Sequence, residues 1–323
     1  MTWQNTILHT SDQAFLKRYV PTAAAVALLV YAFFSSGYLV TVLSFAAIYA
    51  IFVTGLNFFM GYAGQVSFGQ NAFAGLGGYT SAVLTANYNW EPLAALPLGV
   101  GLAVFVAFLV GYPALRLRGH YLAMATLALG LIVYEVAVEW QSVTQGYMGI
   151  SGIPPWRIGQ WDLPEGRAQL VVLVALMGIG IFAASRLKES RFGMALAALA
   201  GSEDAARALG VNIARYKLFA FVIAAAYAAI AGSLMVHFVG FVSPEVFGLN
   251  MVITGFIMLY VGGIGSTYGP LLGALIISLL PETFRGFKDY QDLAYGAALI
   301  AILIFAPKGL AAALGSKASE KRP

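Results

Sequence analysis

The chain has 323 residues, of which 60% are hydrophobic and 10% charged; it carries a net charge of +4 and no cysteine. That apolar share excludes an ordinary soluble globule, in which it is nearer half, and the missing thiols exclude disulfides, thiolate metal sites and cysteine nucleophiles. The surplus of basic residues is what membrane orientation produces, so no nucleic acid is needed to account for it.

In chain order, apolar runs occupy about 20–37, 39–60, 66–87, 93–113, 120–140, 169–185, 216–239, 248–263, 267–284 and 291–306. Each is close to the roughly 20 residues that a helix needs to cross about 30 Å of hydrocarbon. Backbone amides in lipid must find partners within their own segment, so the runs are expected to be helices; the alternating segments of a barrel are absent. The fold class is therefore an all-α polytopic membrane protein of about ten spans (8–10), with glycines interrupting the third and bordering the eighth. The first run follows Lys17-Arg18 and reads as an uncleaved span. With the N-terminus inside, only Arg157, Arg167, Arg285 and Lys288 of the 18 basic residues fall outside, the bias expected of cytoplasmic loops. Segments 1–19 and 308–323 are then cytoplasmic, and 141–168 forms an outer loop long enough to cap an opening, with Trp156 and Trp161 as interfacial anchors.

The stretch GLNFFMGYAGQVSFGQNAFAGLGGYTSAVL, residues 55–84, holds the densest glycine and amide content of any run. At helical spacing Asn57, Gly61 and Gly64 share one face, and Ser67, Asn71, Ala74 and Gly78 another; Tyr62 to Gln65 between them reads as a hinged turn, making this a broken, glycine-rich span. Close packing of helices accounts for the glycines. Asn57, Gln65, Ser67, Gln70 and Asn71 are candidates to line a polar path, because amides facing lipid are costly. Glu135, near the outer end of its run, is a further path candidate on the same ground, and Glu139 is expected to face an outer vestibule. An echo at an offset of 200 pairs Gly55 with Gly255 and Ser67-Phe68-Gly69 with Thr267-Tyr268-Gly269, as duplicated halves of transport proteins do.

Residues 186–215 concentrate charge between two apolar runs. Ser202 is a good N-cap, Glu203 and Asp204 place negative charge in the first turn, and Gly210 suits a C-terminal stop. A connector needs only a few residues, so a capped helix in this place reads as a docking element, the alternative being a helix resting on lipid headgroups.

EDAARALG followed by NIARYKL resembles the coupling segment, the EAA loop, of ABC-importer permeases. The 55–80 stretch, LRLRGHYLAMATLALG and GGIGSTYGPLLGA resemble LivM-like permeases of branched-chain amino-acid ABC transporters, so the similarity spans about residues 50–290. It implies a single permease domain over 1–323, a LivH-like second permease, two cytosolic ATPase subunits that carry ATP and magnesium, a periplasmic solute-binding protein, and a multi-pass bacterial inner-membrane location with lipid around it. Glu203, Ala205, Ala206 and Gly210 match the coupling motif, and Arg191, Asp204 and Arg207 belong to the same coupling surface. The chain departs from the family pattern at Leu131, where the better-known form has Glu after the glycine; Glu135 one turn on is expected to occupy similar space. Met194 and Ala198 stand where basic residues are frequent. No G-x-x-x-x-G-K-[ST] loop is present, so no cofactor is expected in this chain and no enzymatic activity of its own. A secondary transporter or channel would need ionisable groups near the midplane, and a membrane enzyme clustered catalytic groups; His9, His120 and His237 are far apart in sequence.

Overall fold

The computed structural model describes residues 37–158, 161–162 and 166–283, with residues 293, 296–297, 299–300, 304 and 309–311. The expected segment 1–19, nearly all of the first run, much of the last run and most of the tail 308–323 lie outside the described residues.

Apart from the four-residue helical turn Gln141–Thr144, the α-helices among the described residues are α1 (Gly37–Asn57), α2 (Gln70–Tyr88), α3 (Pro92–Ala114), α4 (His120–Glu139), α5 (Arg167–Glu189), α6 (Arg191–Gly201), α7 (Glu203–Ala208), α8 (Ile213–Val239), α9 (Leu249–Gly262) and α10 (Gly269–Thr283). One π-helical turn, Phe58–Tyr62, prolongs α1, and a 3-10 turn, Pro244–Phe247, precedes α9. Six helical stretches among the described residues are long and apolar enough to cross a membrane: 37–62, α3, α4, α5, α8 and 244–262. The expected runs at 66–87 and 267–284 are helical as α2 and α10; α10 is described over 15 residues, up to the edge of the described segment, and α2 is rich in Gly, Ser, Thr and amides.

The polarity of α2 follows from its position. It is buried between α3 and α8, where small residues let backbones touch: a Cβ on Gly77 would stand 2.4 Å from the Ala229 carbonyl oxygen, and one on Gly99 2.8 Å from that of Gly77. A helix enclosed by protein needs no apolar face for lipid and gains from small residues that permit close packing. Phe221 of α8 completes the core, meeting the rings of Phe59 and Phe73 edge-on at 5.2 and 5.3 Å. The outer ring is α3, whose Phe105, Phe108 and Leu109 are exposed, with α4 and α5.

The turns gather at two ends. One end holds 63–69, 115–119, α6, α7 and 263–268, together with Arg116, Arg118, Arg186, Lys188 and Arg191. The other holds residues 140–158, whose strand Ile150–Ser151 pairs antiparallel with Phe241–Val242. Trp156 is not an interfacial anchor: it is buried and packs edge-on against His237 at 5.2 Å. The side chain of Trp161 lies outside the described residues.

Candidate functional site

At the basic end, two short helices are built by local capping. The Ser190 hydroxyl accepts from the Gly193 N–H at 3.4 Å and starts α6; the Ser202 hydroxyl accepts from the Ala205 N–H at 3.3 Å and starts α7. At the end of α7 the Val211 N–H donates to the Ala206 carbonyl and the Gly210 N–H to that of Arg207, both at 3.0 Å. This paired closure is a Schellman motif, with Gly210 at φ +83°, where any side chain is disfavoured. Gly193, Leu196 and Leu199 of α6 and Ala206 of α7 face the bundle, while Met194 is 61% and Leu209 80% exposed. Arg191, Asp204, Ala205, Arg207 and Gly210 lie on the exposed side, and Asp204 pairs with Arg207 at 3.5 Å.

Glu203 turns the other way, as does Ala206, so the expected coupling surface is divided. The Glu203 carboxylate pairs at 2.5 Å with the Lys217 ammonium, which is 2% exposed, and with Arg118 at 3.9 Å. It also accepts from Gln65 Nε2 at 3.2 Å. Desolvation pushes its pKa up, but the bond and charge of Lys217, the Gln65 bond and the Arg118 charge outweigh that and hold it below the ordinary carboxylate value. One side chain thus joins α7 to the first turns of α8, to the turn before α4 and to the segment between α1 and α2. Gly64 brings that segment in close: its φ is +65°, and a Cβ there would stand 3.0 Å from the Ala200 Cα of α6.

A second join lies just ahead of α6. The Lys188 ammonium donates to the Gly265 carbonyl at 2.7 Å and sits 4.9 Å from the centre of the Tyr62 ring. Asn57 Nδ2 donates to the Ser266 carbonyl and Asn57 Oδ1 accepts from the Gly265 N–H, each at 2.8 Å. The helix–turn–helix at 58–70 and that at 258–269, the two ends of the sequence echo, therefore meet at this one amide. Lys188, Lys217 and Arg118 read in the sequence only as basic residues of cytoplasmic connections, not as site residues; the available signal was a lysine one turn inside α8.

The candidate path residues separate accordingly. Both ends of the Asn57 amide are taken up by backbone, and the Gln65 amide donates to Glu203 at the joint. Ser67 is buried, accepting from the Gly69 N–H at 3.4 Å. Gln70 is buried and its amide has no partner among the described residues; nothing in the structure explains this. Asn71 alone of the six lines the cleft along the middle of α4. Glu135 is exposed on α4 outside that cleft, and so does not take the place left by Leu131; the carboxylate in the cleft is that of Glu245.

The family model described as "Branched-chain amino acid transport system / permease component" matches residues 38–306. The high-affinity branched-chain amino acid transport system permease protein LivM of Escherichia coli K12 is 35% identical over 94% of this chain and 77% of its own length. The LivH permease protein of the corresponding system in Salmonella typhimurium is 27% identical over 81% of this chain and 90% of its own. A solved structure, PsaBC from Streptococcus pneumoniae in complex with Fab, aligns with 88% of this chain and 97% of that chain at 13% identity and a TM-score of 0.44, too loose a likeness to bear on mechanism. With the matched segment covering most of the chain and the 35%-identical LivM alignment covering 94% of it, the chain belongs to the family of permease components of branched-chain amino acid transport systems.

Proposed function

We propose that the chain is a LivM-like membrane subunit of an ATP-driven importer for branched-chain amino acids, crossing the bacterial inner membrane about ten times (8–10) with both termini and α6–α7 in the cytoplasm. Its partners are a LivH-like permease, two cytosolic ATPases and a periplasmic binding protein. In this reading the exposed side of α6 and α7, with Met194, Arg207 and Leu209, seats the ATPase. The Glu203 joint then carries ATPase movement into α8 and the 63–69 segment, while Lys188 holds the 263–268 turn to the end of α5. A ligand or partner shifts a conformational equilibrium only through contacts that differ between the two states, and a helix tied at one carboxylate to three elements offers such contacts. The single observation that supports this role is the Glu203–Lys217 pair, its lysine buried, with its Gln65 bond: a helix resting on lipid headgroups has no use for a charge locked into the bundle.

The test is reconstitution of the five-component system in proteoliposomes. Wild type is expected to import leucine with ATP hydrolysis stimulated by the binding protein. Leu209→Glu is expected to lose co-purification of the ATPases. Gln65→Leu, which keeps the exposed surface, is expected to retain co-purification and to lose uptake per ATP hydrolysed. Full coupling in Gln65→Leu removes the joint from the transmission path.

A further inference from the structure

The cleft along α4 has the chemistry of a binding site. It encloses about 320 Å³ and is lined by Asn71, Leu127, Gly130, Leu131, Tyr134, Glu245 and the first residues of α9, a volume at the lower end of the ~300–1,000 Å³ typical of small-ligand sites. Gly130 lies halfway along α4, about 15 Å from its start at 1.5 Å per residue, so the cleft sits at mid-depth.

Two independent features converge there. Asn71 is 4% exposed, and its Nδ2 donates to the Phe247 carbonyl at 2.9 Å. A carbonyl only accepts, so that bond fixes the amide orientation and leaves Asn71 Oδ1 as a buried acceptor with no partner among the described residues. It lies over Gly130, where a Cβ would come within 2.6 Å of it. The second feature is the start of α9, a 14-residue helix whose N-cap, Gly248, makes no side-chain bond. The N–H groups of Leu249 and Asn250 therefore carry the positive end of the helix dipole into the cleft. Free donors with a positive field suit a carboxylate; a free amide oxygen and the Glu245 carboxylate suit an ammonium; Leu127 and Leu131 suit an aliphatic chain.

We propose that the cleft is a translocation subsite for a neutral α-amino acid, holding its carboxylate at the α9 N-terminus and its ammonium between Asn71 Oδ1 and Glu245. This rests on the importer reading and goes beyond it by giving the membrane subunit its own recognition of the zwitterion. The intact permease–ATPase complex, in nanodiscs and without the binding protein, is titrated with tritiated leucine, with leucinamide and 4-methylpentanoate as competitors. Saturable binding is expected, with each competitor at least about tenfold weaker because it lacks one charge-assisted partner.

Glu245 is exposed, so Glu245→Gln leaves packing intact. It is expected to weaken leucine about tenfold and to leave 4-methylpentanoate unchanged, a contrast that a folding defect does not produce. No saturable binding, equal competition by leucine and both analogues, or identical leucine affinity in wild type and Glu245→Gln overturns the proposal. Failure of the importer reading shows elsewhere, as a wild-type complex whose ATP hydrolysis does not respond to the binding protein.

Discussion

Glu203 and Lys217 meet with almost no water on the lysine side, and the consequences of that burial are measurable. Removing one partner of such a pair strands the other charge and costs about 3–5 kcal/mol, whereas replacing both with apolar side chains is often neutral. Glu203→Ala is therefore expected to lower the thermal unfolding midpoint of the purified chain clearly, and Glu203→Leu with Lys217→Met to recover most of the loss. Equal losses in the two variants rule out the ion pair as the source. The pH dependence has a definite sign. The folded pKa of Glu203 lies below its ordinary value of 4.5, so the stabilisation is fully present above that value and disappears as pH falls through the lower folded one. The midpoint is expected to be insensitive to this group from about pH 6 to 8 and to drop on stronger acidification, with Glu203→Gln abolishing that component of the drop.

A six-residue helix such as α7 has no stability of its own, because so short a segment never recovers the cost of nucleation. It persists through Ser202 at one end, Gly210 at the other and Glu203 between them. Gly210→Val forces a β-branched residue into left-handed backbone, at a cost of about 1–2 kcal/mol. It is expected to leave membrane insertion unchanged while reducing ATPase co-purification, read from the stoichiometry of the isolated complex. Both caps of α7 were legible in the sequence because each is a bond spanning no more than five residues. α6 was not set apart, since RFGMALAALAG reads as one apolar stretch and its helix turns on Leu196 and Leu199 finding the bundle. The inward turn of Glu203 was illegible for a different reason: Gln65 is 138 residues away, and no local pattern encodes such a pairing. The bonds of the Asn57 amide were illegible on the same account, its partners lying beyond residue 260.

Among the described residues, the positions of the apolar runs were legible because hydrocarbon thickness sets span length regardless of how spans pack. Their arrangement was not: a helix enclosed by protein, like α2, carries no one-sided stripe to reveal its neighbours, and only the composition of small and polar residues marked it as different. The alternation of turns is nonetheless explicit in the fold, since 63–69, 115–119, α6–α7 and 263–268 share one end and residues 140–158 occupy the other. The distribution of basic residues predicts which end faces the cytoplasm, and the absence of cysteine from the sequence makes a direct test clean. Met148, 86% exposed, and Leu209, 80% exposed, stand at opposite ends. With a membrane-impermeant maleimide, Met148→Cys is expected to react in intact spheroplasts and Leu209→Cys only in inside-out vesicles. The reverse pattern inverts the orientation and removes α7 from the reach of any cytosolic ATPase; labelling of both from one side breaks the alternation on which the position of the cleft at mid-depth depends.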